Sequence, residues 1–161
     1  MGKTEERLAA LGLKLPAPLA LPPGVELTFP WVRVHKNYAY VSGHGPQNID
    51  GSLAGPFGKV GGEVSLNDAQ KAARLATLAM IGSLKRELGE LDRISAWLRI
   101  FGMVSSAPDF KQQPLVINGC TDLIVDVFGP ERGNHARSAV GMAELPFGLP
   151  VELEAEVAID S

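Results

Sequence analysis

The stretch HARSAVGMAELPFGLPVELEAEVAI, residues 135–159, decides how the fold is read. It divides into two strand-like segments around a short turn. The first is small and apolar and opens with Arg137. The second carries Glu152, Glu154 and Glu156 at alternate positions, with Val151, Leu153, Ala155, Val157 and Ile159 in register with them. Strand side chains alternate between faces, so the apolar set is predicted to face a core and the glutamates the opposite side. Pairing Leu145 with Pro150 across Pro146-Phe147-Gly148-Leu149 predicts a hairpin. In it Ala143 faces Glu152, Gly141 faces Glu154 and Ala139 faces Glu156. Arg137 then shares the glutamate face, opposite Ala158 and roughly 20 Å from Glu152 at ~3.3 Å per residue. In this register the two cannot touch within one chain and can cooperate only across a subunit boundary. A slip of one residue would reverse every side chain. The acidic face is either solvated or covered. Its small neighbours Ala139, Gly141 and Ala143 favour close packing, as in a cyclic oligomer with sheet faces turned inward.

Working outward, SLNDAQKAARLATLAMIGSLKRELGEL from Ser65 is the strongest helix signal. Ser65 and Asp68 make a capping-box-like pair, Ala69, Ala72, Ala73, Ala76 and Ala79 recur at helical spacing, and Gly89 suits the C-terminus. RISAWLRIFGMVS is predicted as a strand. PLVINGCTDLIVDVFG is predicted as a second core helix, with Pro114 in its first turn and Gly129 at its end. Upstream, VELTFPWVRVHK and YAYVSGHGP read as two strands turning at Lys36-Asn37, with Pro30 marking an edge or a break. Residues 50–64 hold five glycines and one proline and read as a long loop. TEERLAALG predicts a short first helix capped by Thr4 and closed by Gly12, and the proline-rich LKLPAPLALPPG an extended connector or a loosely attached arm. The division expected is an N-terminal helix and arm over residues 1–24 and one domain over 25–161. The order strand, strand, helix, strand, helix, strand, strand predicts an α+β fold, a single mixed sheet with two helices on one face.

Composition narrows function. Apolar residues are 45% and charged residues 20% of 161, which describes one globular domain. The net charge of −3, with no basic stripe, argues against nucleic-acid binding. Cys120 stands alone, so no internal disulfide and no zinc spacing exists; it reads as a small buried apolar residue. No apolar run approaches the ~20 residues of a membrane helix, and the N-terminus lacks a signal-peptide pattern. A cytoplasmic location is expected.

HARSAVGMAELP followed by VELEAEVA resembles the C-terminal signature of the YjgF/RidA family, the reactive-intermediate imine deaminases. YVSGHGP is similar to that family's strand ending in Ser-Gly, and VINGCTDLIVDVFG to its second helix. The N-terminal extension and the insertions near 52–62 look like its longer endoribonuclease-like, chorismate-mutase-like branch. The resemblance implies the chorismate mutase-like fold, a homotrimer with sites at subunit interfaces, and hydrolysis of 2-imino or enamino acids to 2-oxo acids and ammonia without cofactor or metal. It implies that Arg137 holds the substrate carboxylate and Glu152 orients the attacking water. Ser42, Gly43, His44, Asn118, Phe29 and Ala139 match positions lining the family's pocket. Phe29 stands where a tyrosine is common, His44 where glutamine is common, and Ala139 where a cysteine is common. His135, beside Arg137, is a candidate for added positive charge. The competing expectation is a trimer that binds a small carboxylate metabolite without turnover. Ribonuclease activity follows only from the branch's label, and the charge balance counts against it. Neither a nucleic acid nor a membrane is an expected partner.

Overall fold

A computed structural model describes residues 2–160. Helix α1 (Lys3–Ala10) precedes strands β1 (Val32–His35) and β2 (Tyr38–His44). Helix α2 (Leu66–Leu88), strand β3 (Ile94–Ser105), helix α3 (Gln113–Gly133) and strands β4 (Ala136–Met142) and β5 (Val151–Ile159) follow. The five strands form one mixed sheet in the order β1-β2-β5-β3-β4. Helices α2 and α3 cover one face, and the core lies between. This is the α+β architecture expected.

The helix ends behave as their sequences dictate. Ser65 Oγ accepts from the Asp68 N–H at 3.1 Å and donates to the Asp68 carboxylate at 3.0 Å. Gly89 closes α2 with φ 80°, a conformation glycine adopts without steric cost. The alanine stripe of α2 is buried, which lets its backbone approach the sheet. In α3 the helical conformation breaks at Gly129, and a further turn continues to Gly133. Helix α1 departs from expectation at its start. It begins at Lys3, and Thr4 lies inside it with its N–H and hydroxyl bonded to Asp92 rather than capping. Its end is a Schellman motif: the Leu13 N–H bonds to Leu8 O and the Gly12 N–H to Ala9 O.

Strand β1 begins only at Val32. Residues 25–31, read as its first half, are irregular. Pro30 lacks the N–H a ladder needs, and its carbonyl accepts from the Ser42 hydroxyl at 2.9 Å instead.

The predicted hairpin does not form. Strand β4 pairs in parallel with β3, while β5 is antiparallel to both β2 and β3. Strand β3 therefore lies between the two supposed hairpin partners. The reason is topological: β3, α3 and β4 make a strand–helix–strand crossover, which delivers its second strand parallel to the first. Both edges of β5 are already paired. The alternation of β5 holds, with Val151, Leu153, Ala155, Val157 and Ile159 all buried in the core.

The face of β4 is reversed from the expectation. Arg137 pairs with Ile100 and Ala139 with Gly102; Ile100 is buried, and a Cβ on Gly102 would strike Ile117 of α3. Arg137, Ala139 and Gly141 thus face the helices, and Ser138, Val140 and Met142 share the glutamate face. Glu152 aligns with Met103 and through it with Val140. Arg137 and Glu152 are therefore separated by about 10 Å along the strands and about 10 Å across two strand spacings, on opposite faces.

Candidate functional site

Two clusters hold the residues singled out by sequence. The first lies where β4 meets the start of α3. Arg137 projects toward the helix and donates to three neutral oxygens: Nη1 to Thr121 Oγ1 at 3.0 Å, and Nη2 to Asn118 Oδ1 at 2.7 Å and Pro114 O at 3.1 Å. Asn118 and Thr121 are three residues apart in α3 and so share a face. His135 holds Thr121 from behind. Its Nδ1 lies 2.7 Å from Gly133 O, and a carbonyl only accepts, so Nδ1 carries the proton. Nε2 then accepts from the Thr121 hydroxyl at 3.0 Å. Burial, reinforced by the Arg137 charge, lowers the affinity of His135 for a second proton. His135 is a neutral positioning group, contrary to the added positive charge expected. No carboxylate lies within salt-bridge distance of Arg137 among the described residues. The guanidinium is fixed in place, and its charge is uncompensated. Ala139, two residues along, packs against the core.

The second cluster surrounds Glu152 on the other face. Its carboxyl group is drawn above the usual carboxylate range, first by burial and then by the Glu154 charge. It leans across Gly43, where a Cβ would sit 2.1 Å from Oε1. Any side chain at position 43 would displace it. Gly43, Phe29 and Glu152 line a cavity of about 250 Å³. Phe29 packs edge-on to Trp31, with centroids 5.6 Å apart.

His44 and Ser42 support this cluster without lining the cavity. A bulge between Val41 and His44 turns the histidine inward. Nδ1 donates to Ser42 O at 2.6 Å, and Nε2 accepts from Ser83 Oγ at 2.8 Å. Burial brings its pKa down to about 4, so it is neutral near pH 7. Trp31 lies against its ring at 4.8 Å. The Ser42 N–H and hydroxyl bond to Trp31 O and Pro30 O and fasten the end of the arm to β2. Cys120 is fully buried, and burial pushes its thiol up to about 12. Among the described residues no group of acidic, histidine or cysteine side chains is arranged to hold a metal ion.

The sequence model of a family described as "YjgF/chorismate_mutase-like, putative endoribonuclease" matches residues 5–149. The chain belongs to this YjgF/chorismate-mutase-like family. It is 37% identical to Protein TCP17 of Trypanosoma cruzi, over 99% of this chain and 96% of that protein. The crystal structure of Atu1372 from Agrobacterium tumefaciens, a protein of unknown function, superimposes with TM-score 0.87 at 40% identity, covering 98% of this chain and 93% of the other. A protein from Shewanella oneidensis described as a "putative endoribonuclease" superimposes with TM-score 0.88 at 28% identity, covering 98% and 100%.

The sequence reading put all of these residues around one pocket; within this YjgF-type fold Arg137 lies with Asn118, and Glu152 with Gly43 and Phe29, in two separate clusters. It missed Thr121 and the Pro114 carbonyl. Threonine one turn beyond Asn118 was the available signal. It also missed the contribution of the arm, which reads in sequence as an extended connector or a loosely attached segment. No helix is long and apolar enough to cross a membrane among the described residues.

Proposed function

We propose that the protein is a cytoplasmic homotrimeric hydrolase that deaminates 2-imino or enamino acids to 2-oxo acids and ammonia. Arg137 of one subunit and Glu152 of its neighbour form each site. The observation that carries this reading is the Arg137 guanidinium, held by three neutral acceptors with no carboxylate at salt-bridge distance among the described residues. A fixed planar cation without a counter-charge suits a small carboxylate. Arg137 and Glu152 lie on opposite faces of one sheet, so cooperation between them requires a second copy. The open sheet face favours such an assembly: Tyr38, Tyr40 and Val140 are exposed on it.

The chemistry needs few groups. The iminium carbon of the substrate is electrophilic. Glu152, ionised, takes a proton from water as the oxygen attacks that carbon and forms a carbinolamine. Glu152 returns that proton to the amino group, the C–N bond breaks, and ammonia leaves with the bonding pair as the hydroxyl gives its proton to Glu152 and the carbonyl forms. A raised carboxyl pKa brings the base closer to the working pH. An enamino acid first takes a proton on carbon to become the imine.

Imino acids generated in situ by an amino-acid oxidase test the proposal. Wild-type protein accelerates formation of the oxo acid, and Arg137→Ala does not. A verified trimer that accelerates none of them is instead a binding protein for carboxylate metabolites. The hydrocarbon side chains of Phe29 and Ala139, where the family commonly has a hydroxyl and a thiol, favour that second reading.

A further inference from the structure

The arm is tied down at its start. The Ala17 N–H donates to Ile49 O and the Ala20 N–H to Gly51 O, each at 3.0 Å, and Arg86 Nη1 donates to Pro16 O at 3.1 Å. Between and beyond these ties, Leu19, Leu21, Val25 and Leu27 line the cavity of about 250 Å³ together with Leu149 and Glu152. The chamber is mostly hydrocarbon. An apolar cavity of about 150 Å³ is enough for a benzene ring, so a substrate with only a methyl side chain would leave most of this space unused. Gln47 lines the same chamber, is 5% exposed, and its Oε1 has no hydrogen-bond partner among the described residues. An unpaired buried acceptor is unfavourable until a donor arrives, and an imino N–H is such a donor.

We propose that this chamber receives the side chain of the substrate and that the arm makes the protein selective for 2-imino and 2-oxo acids with branched-aliphatic or aromatic side chains. The inference rests on the carboxylate-binding reading above and adds the class of substrate. Apolar area removed from water supplies the selectivity, and Leu21 and Leu27 are the residues that set its size.

The test is calorimetric titration of the full chain with pyruvate, 4-methyl-2-oxopentanoate and phenylpyruvate. These stable acids share the carboxylate and differ in side chain. The two bulky acids bind at least about tenfold more tightly than pyruvate, the scale on which an apolar pocket discriminates added methylenes. In Leu27→Trp the indole occupies the chamber and the ratio falls toward one. Leu21→Ala widens it and shifts preference toward phenylpyruvate. Equal affinity for all three acids, no binding of any, or a ratio unmoved in both variants overturns the inference. Turnover assays separate it from the hydrolase reading. Bulky-selective binding with no hydrolysis of any imino acid sinks the hydrolase and keeps the chamber. Hydrolysis without side-chain preference does the reverse.

Discussion

Arg137 and Glu152 are built in opposite ways. The arginine is held by three hydrogen bonds, and His135 in turn holds one of the acceptors. The glutamate has no hydrogen-bond partner among the described residues and is shaped by an apolar wall and by the space above Gly43. A group that binds a fixed anion gains from being positioned beforehand. A group that must take up and release a proton gains from an environment in which neither protonation state is strongly locked. In the proposed mechanism this contrast separates anchoring from proton transfer, and each half can be broken independently.

The largest expected effect is on the Glu152 side. Glu152→Gln keeps the shape and removes the base, so kcat falls on the order of 10²- to 10⁴-fold, measured by steady-state hydrolysis of an imino acid. Unchanged kcat would remove Glu152 from the reaction. On the other side, Arg137→Ala loses charge-assisted bonds to the carboxylate. It lowers kcat/KM by about 100-fold or more and weakens oxo-acid binding in parallel, whereas Glu152→Gln leaves that binding far less affected. Equal loss of binding in both variants would mean that the two residues do not divide anchoring and proton transfer between them.

The pH profile sharpens the same contrast. In the proposed mechanism Glu152 acts in its ionised form, and its pKa is raised by burial and then by Glu154. Activity therefore falls on the acid side with a midpoint above the ordinary glutamate value. Glu154→Gln removes the smaller cause and moves that midpoint to lower pH. A midpoint that stays put in this variant excludes Glu152 as the titrating group.

His44 affects stability rather than turnover. Its folded pKa of about 4 lies below the ordinary 6.5, so the unfolded chain binds the proton more readily between those values. The stabilisation is complete above pH 6.5 and is lost as pH falls toward 4, by about 3 kcal/mol at most. Urea denaturation of wild type and His44→Leu at pH 7 and pH 5 checks this. The variant is less stable at pH 7, and its stability declines less between the two.

Much of this was legible in the chain because it depends on local chemistry. Ser65, Asp68 and Gly89 mark the ends of α2 through groups within one turn of themselves, and β5 shows its buried face by a period of two. Pro30 signalled a break, yet the strand began after it rather than bending through it. The hairpin reading failed because two adjacent strand patterns do not say whether a third strand lies between them. The strand–helix–strand order just upstream carried that information, and the eight residues from Ala143 to Pro150 exceed the tightest hairpin turns.

The sequence by itself therefore determined the elements and the inward face of β5, since residues a few positions apart in a regular element have a fixed geometry. Only the tertiary structure decided that β4 lies outside β3, that Arg137 faces the helices, and that the arm walls the Glu152 cavity. Those outcomes depend on strand pairing and on bringing segments as distant as Leu19 and Glu152 to one cavity. In a strand with a period of two, a choice of neighbour that shifts the register by one residue moves each side chain to the opposite side of the sheet.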